Sequence, residues 1–291
     1  MSREGQPRKE GIWKAYASPR IKAACDAYED TKGSELQHVS VDSTKKLGDV
    51  DVPKFDATRL RSFLAGGSKD LNFADLSGLN LSGMNLAGVD LTGASLMSVR
   101  FSNRTKMLDA NLSGARFDKR SLRSFLGAGF KKLNGANLSG LDLSGMDLRS
   151  VDLSNVDLQG VTFSKYTKLE NTHFRGALID NTSLRSFLGA GFKKLSGADL
   201  KGVDLSGRDL RELDLSNATL SGVAFSRDTK LKGTNLIGAS FDKASLGSFL
   251  AADFKNLQHV NLPETMRDLP PKRCWHTQFL ERIRALFSSG I

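Results

Sequence analysis

The sequence predicts an all-β solenoid with short helical insertions and helical terminal segments, on three observations. A 62-residue block recurs: Leu60-Arg61-Ser62-Phe63-Leu64 returns as Leu122 to Leu126, as Leu184 to Leu188 and, with Gly247 in place of arginine, as Leu246 to Leu250. Inside the first block Leu or Phe recurs at every fifth residue, at Leu71, Leu76, Leu81, Leu86, Leu91, Leu96 and Phe101, and the series repeats from Leu133 to Phe163 and from Leu195 to Phe225. Two residues before each centre lies a second, mostly apolar position such as Ala74, Met84 or Val89, and the residue between is usually Asp or Asn. A period of five fits neither the 3.6 residues of a helical turn nor the two of a strand. It fits a coil with five-residue sides, each turning its central side chain inward and burying it only by stacking on its neighbours.

Composition agrees and removes other classes. With 17 Phe among 39% hydrophobic residues the chain can bury a core, while 28 Gly against 6 Pro without a three-residue period exclude collagen-like and Pro-rich chains. No apolar run approaches the length of a membrane span, and the polar start MSREGQPRKEG is unlike a secretory signal, so a cytoplasmic chain is expected. Cys25 and Cys274 stand near opposite ends and read as free thiols. The formal charge of +10 favours anionic partners weakly, and mixed surface charge that keeps a long repeat protein soluble accounts for it equally well.

Taken in chain order, residues 1–58 lack the period and read as an N-terminal helical and linker extension. Ser18-Pro19 followed by Ile21, Ala24, Cys25 and Tyr28 has the pattern of a short amphipathic helix with proline at its first position. Residues 59–262 carry the repeats. Their motif, Ala74-Asp75-Leu76-Ser77-Gly78, Ala136-Asn137-Leu138-Ser139-Gly140 and Ala198-Asp199-Leu200-Lys201-Gly202, resembles the A-(D/N)-L-x-x of the pentapeptide-repeat family, in phase over about residues 71 to 262. The resemblance implies a right-handed quadrilateral β-helix with four pentapeptides per coil, Leu or Phe stacked inside and small residues at the corners.

The period breaks twice per block. From Phe101 the next centre is Met107, six residues on, and the same step separates Phe163 from Leu169 and Phe225 from Leu231. Leu122 to Leu133 spans eleven residues, which reads as two sides plus one residue. Each block is then twelve sides, three full coils at four sides each, with both breaks on one corner and equivalent residues of successive blocks aligned. If the eleven residues instead cover one side and a loop, successive blocks rotate by a quarter turn. Within this second break Leu122, Phe125, Leu126 and Phe130 suggest a short helical turn, with Ser121 as N-cap and Gly127 and Gly129 as stops. Its phenylalanines are expected to pack on the solenoid flank or to offer a partner an apolar edge. Arg208 occupies an inward position held elsewhere by Met84 and Met146, so that coil must bulge or the guanidinium must reach outward.

Residues 263–291 begin with Pro263 and Pro270-Pro271, which stop the coil. Phe279, Leu280, Ile283, Leu286 and Phe287 then share one helical face, expected to cap the array or to pair with its copy in a homodimer, as the resemblance also suggests.

The candidate binding residues are basic and sit at the breaks: Arg104, Lys106, Lys165, Lys168, Arg227 and Lys230 at the first, Lys131, Lys132, Lys193 and Lys194 at the second. Stacked on one corner they would form a cationic ridge for a phosphate backbone or an anionic lipid surface. Insertions are equally the natural place for solvated Lys and Arg. No catalytic, cofactor or metal residue is identified, since His38, His173, His259 and His276 are scattered and a filled core leaves no pocket, so no enzyme is expected. The favoured function is a non-enzymatic scaffold for an unidentified protein partner; the resemblance adds that family members occur among bacterial effectors delivered into host cells. One alternative is the family's DNA-mimic class, which binds a type II topoisomerase. Charge argues against it, because residues 71–260 hold 24 basic and 18 acidic side chains, although Asp142, Asp147, Asp152 and Asp157 could make a local acidic stripe. A further alternative is nucleic acid or anionic membrane on the basic ridge.

Overall fold

A computed structural model describes residues 54–252. They fall into two compact units, an N-terminal one running to Lys131 with Gly135–Asn137, and a C-terminal one of Lys132–Asn134 and the residues from Leu138 onward. The sequence-predicted helices near Pro19 and at Phe279, Leu280, Ile283, Leu286 and Phe287 lie outside the described residues.

In both units each five-residue side is a tight turn followed by one extended residue. On the side centred on Leu71, the Ala74 N–H donates to the Leu71 carbonyl at 3.1 Å, and Phe73, third in the turn, takes φ 57°. That left-handed corner explains the frequent glycine at this place, for example Gly78 at φ 78°. The residue before a centre is most often Asp or Asn because its side-chain oxygen accepts the N–H two residues on, as Asp75 does from Ser77, Asp142 from Ser144 and Asp204 from Ser206, each at 2.9 Å.

The same pre-centre residue makes the parallel pairing between coils. In the N-terminal unit side one pairs Asp70, Asp90 and Asn111; side two Lys54, Asp75, Ser95, Arg116 and Asn137; side three Asn80 with Arg100; side four Asn85 with Lys106. In the C-terminal unit side two runs Asp157, Leu178, Asp199, Thr219 and Ser240. Asp157 and Thr219 stand at equivalent places in successive blocks and are joined by three pairings on one side, and Lys54 and Arg116 are related in the same way. Successive blocks are therefore in register, four sides per coil, and the quarter-turn alternative is excluded.

Inward positions are filled by Leu, Phe, Val, Ala, Met or Ile save at Thr and Ser positions that satisfy backbone and at Arg208. Leu76, Leu81, Leu86, Leu91 and Leu96 are fully buried in the first unit, and Leu138, Leu143, Leu148, Leu153 and Leu158 in the second. The first break is accommodated by a buried threonine. Thr105, Thr167 and Thr229 each donate the hydroxyl to a carbonyl of the preceding coil (Leu81, Leu143 and Leu205, at 2.9, 3.0 and 2.9 Å) and accept the N–H three residues earlier. One hydroxyl thereby satisfies groups that the extra residue would strand.

The second break is a nine-residue helix, present four times: α1 (Ala57–Ala65), α2 (Lys119–Gly127), α3 (Asn181–Gly189) and α4 (Lys243–Ala251). The N-cap of α2 is Asp118, three residues before the expected Ser121, which instead is the third residue of a reciprocal capping box. The carboxylate, being longer and charged, takes the cap and leaves the buried serine hydroxyl to serve the Asp118 N–H. The helix replaces sides three and four of its coil. Ser124 Oγ accepts from the Phe101 N–H of the coil beside it at 2.8 Å, and Ser186 and Ser248 do the same for Phe163 and Phe225. Phe125 is consequently core rather than flank, 1% exposed, with ring centroids 5.3 Å from Phe101, 5.5 Å from Phe117 and 4.9 Å from Phe130. Because α1 spans residue 58 and Phe55 N–H bonds the Asp75 carbonyl at 3.0 Å, the coiled structure reaches back to Lys54, ahead of the expected boundary at 58/59.

Two substitutions test this packing. Phe187→Ala removes the ring that meets Phe163, Phe174 and Phe192 and is expected to cost about 3–5 kcal/mol in urea unfolding. Gly197→Ala forces a Cβ to 3.2 Å from Arg175 Cα at φ +72° and is expected to cost on the order of 1–2 kcal/mol, whereas Gly202→Ala, at the same φ but in open space, should cost less.

Candidate functional site

With the interior filled, recognition falls to the outward side chains, whose columns are set by the coil register. All ten sequence-predicted basic residues are exposed. They do not form one ridge. Arg104, Lys165 and Arg227 lie on the corner between sides three and four, and Lys106, Lys168 and Lys230 on side four, where Lys168 pairs with Asp147 and Lys230 with Asp209. Lys132 and Lys194 lie on side one beside Asp152 and Asp214. Lys193 turns its ammonium to the Arg211 carbonyl at 2.8 Å, as Lys69 does to Ala87, a structural use. The second break ends in a helix that carries the chain past sides three and four, so its lysines emerge on the next side.

The helices add cations that the sequence reading passed over. Arg120 and Arg123 are exposed on α2, and Arg100 is exposed at the pre-centre position of side three, next to Asn80. In the N-terminal unit sides three and four thus gather Arg100, Arg104, Lys106, Arg120 and Arg123. Comparing the three blocks at fixed positions would have revealed them, since the equivalents of Arg100 are Thr162 and Ala224, and those of Arg120 are Thr182 and Ala244.

The acidic residues are differently placed. Asp142, Asp147, Asp152 and Asp157 stand on sides three, four, one and two of one coil, a ring rather than a stripe. Asp147 is chelated by Arg149 (Nε to Oδ1 2.9 Å), and Asp209 by Arg211 (2.8 Å). Those arginine hydrogen bonds, the largest influence on each, hold both carboxyls far below the usual range. Asp152 accepts from Asn134 at 2.7 Å and from its own turn. Arg208 resolves in favour of reaching outward: its coil keeps the regular Lys230 N–H to Arg208 carbonyl bond of 2.9 Å, and its half-buried side chain extends over the Asp204 carbonyl. His173 is exposed on side one, and His38, His259 and His276 lie outside the described residues. Among the described residues no helix is long and apolar enough to cross a membrane.

The pentapeptide-repeat family model matches in eight copies, over residues 70–103, 132–164 and 194–227, the stretches in which the five-residue sides run unbroken. The chain is a pentapeptide-repeat protein. Among solved pentapeptide structures it is similar to HetL, involved in heterocyst differentiation regulation in the cyanobacterium Nostoc sp. strain PCC 7120, at 20% identity over 62% of this chain and 97% of that one, with a TM-score of 0.25. It is also similar to Rfr23 from the cyanobacterium Cyanothece 51142, at 21% identity over 64% and 95%, with a TM-score of 0.18. Full-length QnrB1, a plasmid-mediated fluoroquinolone resistance protein, aligns at 15% identity over 74% and 94%, with a TM-score of 0.18. No curated protein sequence matches this pentapeptide-repeat chain significantly.

The helix caps give the family fold here a measurable pH signature. Burial works to raise the Asp180 pKa, but N–H donors from Ser183 and Gly160 outweigh it and the pKa lies below the ordinary 3.8. A depressed carboxyl stabilises fully above its unfolded value and loses that stabilisation as pH falls below it. Asp180→Ala is therefore expected to cost about 1 kcal/mol at neutral pH. The gap between variant and parent in urea midpoint should narrow as the pH is taken below 3.8.

Proposed function

We propose that this pentapeptide-repeat protein acts by binding rather than catalysis, as a scaffold for a protein partner. One observation carries the reading: the blocks hold most of their inward residues constant and vary their outward ones. Leu76, Leu138 and Leu200 are equivalent and fully buried, as are Leu91, Leu153 and Leu215. Outward equivalents change character entirely, from Leu108 to Glu170 to Lys232 and from Arg116 to Leu178 to Ser240. A frame that is fixed while its display varies is what a recognition surface requires, and the extended surfaces of solenoids serve in this way. Exposed Leu108, Tyr166 and Ile237 supply apolar contacts of the kind that anchor protein interfaces. Delivery into a host cell as an effector, and dimerisation through the apolar face expected at Phe279, Leu280, Ile283, Leu286 and Phe287, belong to the same proposal.

The topoisomerase-mimic reading draws no support from the side-chain placement. A duplex mimic needs a dense run of carboxylates along one side, whereas Asp142, Asp147, Asp152 and Asp157 face four directions and Asp147 is neutralised by Arg149.

Nuclease-treated affinity capture from source cells, with proteomic readout and reconstitution of the captured pair, tests the proposal. A discrete protein retained in stoichiometric amount and lost with Leu108→Glu, Tyr166→Glu or Ile237→Glu is the expected result. Removal of every captured species by nuclease would overturn the protein-scaffold reading, and inhibition of supercoiling by a purified type II topoisomerase would revive the mimic.

A further inference from the structure

We propose that sides three and four of the N-terminal unit, together with α2, form a docking surface for the phosphate backbone of duplex nucleic acid. The repeat is its own control. Over positions 79–88, 99–109 and 118–127, which make those two sides and the helix, the formal charge is +4; at the equivalent positions one block later it is 0, and two blocks later it is +1. Two kinds of exchange contribute most of the difference and are partly offset at other positions. Neutral Asn80 and Asn85 stand where the later blocks place Asp142 and Asp147, then Asp204 and Asp209. Arg100, Arg104 and Arg120 stand where the second block has Thr162, Tyr166 and Thr182, and the third has Ala224, Asp228 and Ala244.

The coil geometry gathers these charges. Arg100 pairs through its backbone with Asn80 on side three and Lys106 with Asn85 on side four, while Ser124 of α2 bonds both the N–H and the carbonyl of Phe101, holding the helix against the coil that carries Arg100 and Arg104. Arg100, Arg104, Lys106, Arg120 and Arg123 are all exposed, and none forms an ion pair among the described residues. On the same sides of the C-terminal unit Arg149 and Arg211 are spent on Asp147 and Asp209. Nearby Asp118 is committed to capping α2 and accepts from Ser98 as well.

The chemistry of the surface selects the partner. Four of the five cations are guanidinium groups, which bind phosphate oxygens in a planar, bidentate way and stay charged throughout the physiological pH range. A protein interface centres on apolar or aromatic anchors and is poor in charge there. Here Phe73 and Met97 belong to sides one and two, and a single exposed Leu108 stands at the turn leaving side four. Among the described residues no exposed aromatic ring lies among the five cations to stack on an unpaired base, which favours backbone contact with a duplex over a single strand. A membrane surface would call for apolar groups to enter the lipid alongside the charges, and one leucine is a poor complement.

Fluorescence anisotropy of the full chain with a labelled duplex of about 20 base pairs, as DNA and as RNA, tests this across a salt series. Binding should weaken with salt with a log–log slope of roughly −3 to −5, the value for three to five phosphate contacts. Replacing Arg100, Arg104, Lys106, Arg120 and Arg123 by Gln should lower affinity at least tenfold. A matched variant with Gln at Lys165, Lys168, Arg185, Arg227 and Lys230 removes as many charges from the same sides of the C-terminal unit and should change it about threefold at most. The triple variant Arg100→Gln, Arg104→Gln, Lys106→Gln leaves α2 untouched, so an intermediate loss there rules out helix unfolding as the cause. Equal losses in the two quintuple variants would overturn the proposal in favour of a net-charge effect. Salt-insensitive binding, or equal affinity for polyglutamate or for vesicles of phosphatidylserine and phosphatidylcholine, would overturn it as well.

Discussion

Each coil passes its backbone donors and acceptors to the next, and the rest of the structure depends on that parallel pairing. Leu76 N–H reaches the Ser95 carbonyl at 3.0 Å and Ser95 N–H returns to the Ala74 carbonyl at 2.9 Å, and the same exchange recurs one coil later between Leu96 and Arg116 at 2.8 Å. A buried polar backbone cannot go unpaired without a cost comparable to a lost hydrogen bond. Every side must therefore present its pairing residue at the same height, which admits one length of side and one shape of corner. The five-residue period, the left-handed third turn residue and the Asp or Asn that accepts its own turn are three consequences of this one demand.

Where the length departs from five, a side chain replaces the missing backbone partner. The buried hydroxyls of Thr105, Thr167 and Thr229 bridge a coil to the carbonyl before it, and Ser124, Ser186 and Ser248 bring a helix to the edge that a side would have paired. The helix in turn inserts Phe125, Phe187 or Phe249 where no leucine of a five-residue side could reach, so the ring volume compensates for two missing sides. Packing and hydrogen bonding thus agree at each irregularity, which is why the irregularities recur at the same place in every block rather than drifting.

Because the interior admits few substitutions, variation is confined to the outside, and the outside need not be uniform. The C-terminal unit closes its charges locally, Arg149 on Asp147 and Arg211 on Asp209, at sites so exposed that the pairs contribute little to stability. Among the described residues the N-terminal unit leaves its arginines without such partners on the same two sides. A frame of constant geometry thereby carries surfaces of different electrostatic character, set by a handful of exchanges between Asn and Asp or between Arg and Thr.

Much of this was legible before any coordinates. The period of five, the recurring block, the helical turn at Leu122 and the inward leucines are local facts, because a residue buried in every coil must be apolar in every coil. The twelve-side count even anticipated the register, since Asp157, Leu178, Asp199 and Thr219 do share one side. The sequence by itself also identified cations at the breaks, but it assigned Lys132 and Lys194 to the corner of Arg104, and it passed over Arg100, Arg120 and Arg123. Those errors share a cause. Inward positions are chosen by burial, which leaves a periodic mark on the chain, whereas outward neighbours lie a whole coil apart along the chain, as Asn134 and Asp152 do, and leave none. Only the tertiary structure decides that α2 lies against the coil of Phe101, that Lys193 spends its charge on a backbone carbonyl, and that four aspartates at five-residue spacing face four ways. Neighbourhood on a solenoid surface is set by the coil, and the linear order of residues does not record it.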